Sequence, residues 1–219
     1  MSDWLSYFPY PNCREDQKKA IQYAIDSFNE GKRFVVIEAA TGVGKSAIGY
    51  TIANYMNNAI EDSDVYSNGA WFVTTQKILQ DQYLRDFHVK GMRSIKSSSN
   101  YTCKFKKVNT CADSQKELKL EEKDSPYYKS CMFSCVYRKE KEDFLGSTAS
   151  VTNFPYLLTE ANYNGKIKPR KILVIDEAHN IETELRKFVE IGVTDRFAKT
   201  TLKLEMPELK TQLQAFNWI

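Results

Sequence analysis

Three groups of residues in this chain have the types and spacing that chemistry needs. The first is Ala39, Ala40, Thr41, Gly42, Val43, Gly44, Lys45 and Ser46, which follows the phosphate-loop pattern except that Ala39 replaces the first glycine. Gly42 and Gly44 allow backbone conformations that turn successive N–H groups onto phosphate oxygens. Lys45 would meet the β and γ phosphates of ATP, and Ser46 would hold magnesium. The bland alternative is a glycine turn before a helix, with Lys45 solvated. The second group is Asp176, Glu177, Ala178 and His179. Of its two carboxylates, Asp176 suits a magnesium-bound water and Glu177 suits orienting and deprotonating an attacking water. A histidine after two acids is, by itself, more simply a helix-start residue. The third group is Cys103, Cys111, Cys131 and Cys135, with seven, nineteen and three residues between successive members. Four thiolates suit an iron–sulfur cluster by charge and softness, zinc nearly as well, and four free thiols remain the plain alternative. The spacing differs from the simple pairs of a zinc ribbon. Cys13 stands apart and has no assigned role.

These residues need elements to hold them. Phe34, Val35, Val36 and Ile37 form a short apolar run that predicts a strand buried on both faces, leading straight into the glycine loop. Before it, Ala20, Ile21, Ala24, Ile25 and Phe28 make one helical stripe ending near Gly31. After the loop, residues 46–58 read as a helix with Ile48, Ile52 and Met56 on one side. Trp71 to Val73, Ala149 to Thr152 and Ile172 to Ile175 read as further strands, and a helix starts near Phe154. The last of these strands carries Asp176 and Glu177 at its carboxyl end, where open α/β sheets bind ligands. Strands alternating with helices imply an α/β fold with a parallel, doubly wound sheet and helices on both faces. The pattern breaks between about residues 91 and 146, a stretch rich in Ser and Lys that holds the four cysteines and reads as an irregular or helical insertion. The expected organisation is residues 1–90 and 147–185 as the nucleotide-binding domain, 91–146 as the insertion and 186–219 as a partly helical region.

Composition narrows the class. With 219 residues, 42% of them hydrophobic and 27% charged, the chain can bury one good core with room for one insertion. Nothing approaches the roughly 20 apolar residues that cross a bilayer, and no basic signal-peptide region is evident, so the expected location is intracellular: cytoplasmic, or nuclear in a eukaryote. Five cysteines in such a chain are read as thiols or metal ligands rather than disulfides. The net charge of +3 is too small to establish a polyanion partner. Its distribution says more. Residues 93–147 hold twelve Lys and Arg against eight Asp and Glu, an excess larger than that of the whole chain. Tyr101, Phe105, Tyr127, Tyr128, Phe133, Tyr137 and Phe144 are interleaved with those charges. Cations that track phosphates and rings that stack on bases are what single-strand binding needs. For any one ring, filling a small core is the simpler role.

Together the phosphate loop and Asp-Glu-Ala-His resemble superfamily 2 helicases, whose first RecA-like domain carries both. Arg14, Glu15, Asp16 and Gln17 look like that family's adenine-recognising Q motif, with Gln17 on the purine edge and Arg14 near it. Alternatively, the two residues cap or decorate a helix. Residues 74–82, including Thr75, Gln76 and Gln80, look like motif Ia, which contacts the nucleic-acid backbone. The cysteines lie where XPD-like and DinG-like helicases hold a 4Fe-4S cluster. The approach Ser99-Asn100-Tyr101-Thr102 and the later run Val151-Thr152-Asn153-Phe154 are similar to the DinG-like pattern. The resemblance implies a DNA helicase motor working 5′ to 3′ on single-stranded or forked DNA, with ATP, magnesium and a cluster that holds a wedge domain rigid. It also assigns His179 to coupling. Lys104, Lys106 and Lys107 are the first candidates for phosphate contacts in that wedge. No Gln-x-x-Gly-Arg-x-x-Arg motif occurs, so a second RecA-like domain is expected from elsewhere, and residues after His179 resemble the start of a helical arch. The competing reading is a non-motor accessory protein, binding single strands through a zinc or iron–sulfur module beside a remnant phosphate loop.

Overall fold

The computed structural model describes residues 3–107, 109–165, 167–189 and 194–218. The apolar stripe in the first helical segment becomes α1 (Glu15–Asn29), which buries Ile21, Ala24 and Ile25. α1 is closed by Gly31 at φ 84°, the left-handed conformation that glycine adopts without strain. α2 (Lys45–Ala59) follows the glycine loop and buries Ala47, Ile48, Ile52, Ala53 and Met56. Then come β1 (Ser67–Thr74), α3 (Lys77–Phe87) and the short β2 (Arg93–Ser94). The cysteine-bearing stretch holds α4 (Cys111–Glu117), α5 (Pro126–Phe133) and α6 (Val136–Gly146). β3 (Ala149–Asn153), α7 (Phe154–Thr159) and β4 (Arg170–Ile175) lead to α8 (Ile181–Val189), α9 (Asp195–Phe197) and α10 (Gln212–Trp218). Among the described residues no helix is long and apolar enough to cross a membrane.

All strand pairs are parallel, in the order β2-β3-β1-β4. The register aligns Phe72 with Val151 and Val174, and Trp71 with Ser150 and Leu173. Because successive side chains point to opposite faces, this alignment builds two cores. On one face Ala70, Phe72, Ala149, Val151 and Ile172 pack with α1, α2, Tyr83 and Phe87. On the other, Trp71 packs with Ile95, Phe144 of α6 and Tyr156 of α7, and this second core runs on to Cys111 and Tyr137. The sheet therefore has helices on both faces, and the cysteine helices grow directly out of one of its cores.

Arg170 ties that second core to the sheet. Its guanidinium lies 3.6 Å from the centre of the Trp71 ring and donates to the carbonyls of Ala70 and Leu145 and to Ser150 Oγ. Burial pulls this group down to about 10, which leaves it charged at neutral pH, with neutral acceptors taking its hydrogen bonds.

One predicted strand is corrected. Residues 34–37 carry no strand assignment and pair with none of the four strands. Alternation survives without a ladder: Val35 and Ile37 pack against the first core, whereas Phe34 and Val36 are 86% and 84% exposed. β4 forms the edge of the sheet, and its Leu173 is 53% exposed. An apolar run has the composition of a buried strand, but pairing and burial on both faces need neighbours, which the described residues do not supply.

The chain divides into two compact units, Met1–Glu184 and Leu185–Ile219. The second contains α9, a π-helix at Ala198–Leu202 and α10.

Candidate functional site

Gly44 caps α2 at φ 89°, and Gly42 sits at φ 85°. Helical bonds to the Gly44 carbonyl begin at Ala47 and Ile48, so the N–H groups of Lys45 and Ser46 lie in the unbonded first turn of α2. The positive end of a helix and these free donors make an anion cradle. Thr41 and Ala40 are exposed and Ala39, Val43 and Ser46 are half-buried, leaving the loop open to a ligand.

Arg14 and Gln17 reach the same loop. Gln17 is 5% exposed; its Nε2 donates to the Val43 carbonyl at 2.8 Å, and its Oε1 accepts from the Arg14 N–H at 2.9 Å. Arg14 Nη1 donates to the Gly42 carbonyl at 3.1 Å. Both side chains thus brace the loop's carbonyls, which keeps its N–H groups turned the other way.

The carboxylates arrive from the neighbouring strand. Asp176 follows β4 directly, and its N–H donates to Val73 at 2.9 Å, extending the ladder by one residue. Tyr83 is 3% exposed and hydrogen-bonds Asp176. Burial, then the Asp176 charge and this bond, push its phenol well above the ordinary range. Glu177 takes a left-handed conformation at φ 53°, with its N–H on Asp176 Oδ1 at 3.0 Å. For a residue with a Cβ that backbone state costs about 1–3 kcal/mol, which the surroundings must hold in place. The turn aims Glu177 at the loop: its Oε1 is 3.2 Å from Lys45 Nζ, and its Oε2 is 3.4 Å from His179 Nδ1. Residues 132 positions apart in sequence therefore meet in one site.

The motif Ia residues diverge. Gln76 is exposed, whereas the Thr75 hydroxyl is buried without a partner. Gln80 is fully buried, and its amide donates to Ser94 Oγ at 2.7 Å and to the Ile95 carbonyl at 2.6 Å. It ties α3 to the strands and faces away from solvent.

The four cysteines converge. Cys103, Cys111, Cys131 and Cys135 line one small cavity with Ser114, Gln115 and Tyr101. Cys103 and Cys111 are brought near each other by an antiparallel bridge between Thr102 and Thr110, with the Cys111 N–H on the Tyr101 carbonyl at 2.7 Å. Cys131 comes from α5, and Cys135 is the residue that opens α6. Cys111 and Cys135 sulfurs are 3.7 Å apart. Burial and the neighbouring Cys135 push the Cys111 thiol up to about 12, and burial with Cys103 and Cys135 raises Cys131. At Cys103 burial acts upward, but the Ser114 hydroxyl and the N–H groups of Lys106 and Phe105 outweigh it and draw the thiol down. Thiols crowded this closely resist ionising together, a penalty that a bound cation removes. Among the described residues no three of His, Cys, Asp and Glu close to the spacing of a single-ion site.

Of the lysines in this region, Lys104 and Lys107 are exposed, whereas Lys106 pairs with Glu117 at 2.5 Å and lies 4.4 Å from the centre of the Tyr127 ring. Tyr127, Tyr137 and Phe144 are buried, while Phe105 and Phe133 are 51% and 88% exposed. Most rings therefore fill the core, and two remain free to meet a ligand. Sequence reasoning missed Tyr83 and Ser114. Tyr83 looks like any apolar helix position and Ser114 like any polar one, and only the packing shows what each lies against.

The family model for the type III restriction enzyme res subunit matches residues 11–206, about nine-tenths of the chain. The chain belongs to that family. No curated protein matches closely enough to count as a relative. The family domain is a superfamily 2 helicase-like motor, so the four-stranded parallel sheet is a RecA-like core and the activity class is that of ATP-dependent nucleic-acid motors.

Gly44 gives a direct test of the loop. A Cβ there would fall 2.6 Å from Gln17 Nε2, and the left-handed backbone costs an alanine about 1–2 kcal/mol more than glycine. Gly44→Ala is expected to weaken binding of a fluorescent ATP analogue by roughly tenfold, because 1.4 kcal/mol is a factor of ten.

Proposed function

We propose that this chain is the first motor domain of an iron–sulfur DNA helicase resembling the XPD-like and DinG-like enzymes, moving 5′ to 3′ on single-stranded or forked DNA. The observation that supports this reading is the meeting of four cysteines from three separate segments at one cavity, on a core continuous with the motor sheet. The donor set fits a cluster: thiols only, an N–H from Lys106 on the Cys103 sulfur at 3.3 Å and the Gln115 amide on the Cys111 sulfur at 3.5 Å. Such a group would cross-link the insertion, holding it rigid as a wedge. Exposed Phe105 and Phe133 would stack on bases, and Lys104 and Lys107 would meet phosphates.

At the other site the loop N–H groups and Lys45 would hold the ATP phosphates. Ser46 and Asp176 offer the oxygen ligands that magnesium prefers, and the ion would neutralise charge on the transferring phosphoryl group. Glu177 would accept a proton from the attacking water. Glu177 lies 3.2 Å from Lys45, so phosphates bound at the loop would compete with this carboxylate for Lys45.

Hydrolysis at full rate needs arginines from a second motor domain, whose contribution is about 10³–10⁵-fold. The 219-residue chain alone is therefore expected to bind ATP weakly, hydrolyse it slowly and leave duplexes closed. The deciding experiment is anaerobic purification followed by iron, sulfide and zinc analysis. A brown protein with nearly equal iron and sulfide supports the reading. A colourless protein with one zinc turns it toward a single-strand-binding accessory module.

A further inference from the structure

One buried polar group beside the cysteines, the Ser114 hydroxyl, lies against the Cys103 sulfur without a well-formed hydrogen bond. Ser114 lies in α4 at 2% exposure. Its backbone is fully engaged: the N–H donates to Thr110 at 3.0 Å, and the carbonyl accepts from the Tyr127 hydroxyl at 3.1 Å. Its Oγ is buried and has no well-formed hydrogen bond among the described residues. The residue lines the same cavity as all four cysteines. A buried hydroxyl without a strong acceptor is destabilising, and the Cys103 sulfur beside it is an acceptor on the cavity side. A neutral thiol is a weak acceptor, whereas a thiolate or metal-bound sulfur accepts strongly.

We propose that Ser114 is a positioning residue of the cysteine site, its hydroxyl donating to the Cys103 sulfur once that sulfur carries charge as a ligand. This rests on the iron–sulfur reading of the site. Cys103 already accepts from the backbone, the Lys106 N–H lying 3.3 Å from its sulfur. Ser114 would supply a side-chain donor from α4, fixing the direction in which the sulfur presents its remaining lone pairs. Hydrogen bonds to cluster sulfurs favour the more negative, reduced state and raise the reduction potential. The chain thus sets the redox poise of the group through a side chain that never touches metal.

The test uses the full chain purified without oxygen as wild type, Ser114→Ala and Ser114→Thr, with iron and sulfide content measured before a midpoint potential followed by electron paramagnetic resonance. Ser114→Ala is expected to keep its iron but to make reduction roughly tenfold less favourable, a downward shift of about 59 mV for one electron. Ser114→Thr, which keeps the hydroxyl, is expected to stay at the wild-type potential. A fully loaded Ser114→Ala protein at the wild-type potential overturns the inference and leaves the cluster reading standing. Loss of iron from Ser114→Ala with retention and an unchanged potential in Ser114→Thr supports it; loss from both overturns it. A wild-type chain without iron overturns the cluster reading itself.

Discussion

Replacing Glu177 by Gln is expected to lower ATP turnover by about 10²–10⁴-fold while nucleotide binding persists or tightens. Both halves follow from the geometry. Glu177 is placed by a strained turn immediately after β4, where its carboxylate can take a proton from water near the terminal phosphate. It also pairs with Lys45, at 3.2 Å. Gln keeps the shape and the hydrogen-bonding reach but removes the charge, so Lys45 is released more readily to phosphate while proton abstraction is lost. The measurement is steady-state phosphate release with the second motor domain supplied, alongside equilibrium binding of a fluorescent ATP analogue. Unchanged turnover would remove Glu177 from the chemistry. Strand binding indifferent both to nucleotide and to this substitution would favour the accessory-protein reading.

The second large effect is expected at Cys135. Cys135→Ser should remove the visible absorption and loosen the insertion as a unit, seen as rapid proteolytic cutting within residues 101–146. Metal groups that hold small domains together contribute on the order of 10 kcal/mol, so losing a ligand is felt well beyond one contact. Here the consequence should reach the motor sheet. Cys111 and Cys135 pack into the core that contains Trp71, Phe144 and Tyr156, and Lys141 anchors the same helix to buried Glu160 at 2.5 Å. Single-strand affinity should fall by at least about fivefold, as losing even one ring–base stack removes roughly 1–3 kcal/mol. ATP-analogue binding should change little, because the phosphate loop packs on the first core, at the opposite face of the sheet. A colourless wild type, or a variant with undiminished strand binding, would count against the wedge role.

Much of the site was legible because it is encoded locally. The loop needs glycines at positions of positive φ, a helix start and a lysine, and all three occur within eight consecutive residues. The carboxylate pair likewise follows an apolar, β-branched run that reads as a strand of an α/β sheet, and it is one, β4. The four cysteines could be counted and spaced, which confined them to a metal group, a cluster or bare thiols. Gln80 marks the limit. As sequence it is a polar residue inside a motif that contacts nucleic acid, and as structure it is fully buried, bonded to Ser94 and Ile95. Nothing in its neighbours along the chain distinguishes the two.

What the sequence determined by itself was the α/β class, the helices and the other strands, and the glycine loop, since these depend on propensity, hydrophobic period and glycine placement within a few residues. What only the tertiary structure decided were relations between distant segments. Gln17 braces the loop, Glu177 meets Lys45, Ser114 faces the cysteine cavity, and residues 34–37 stay unpaired despite their strand-like composition. A side chain's partners are set by packing and by the neighbours available to satisfy it, and linear order records neither.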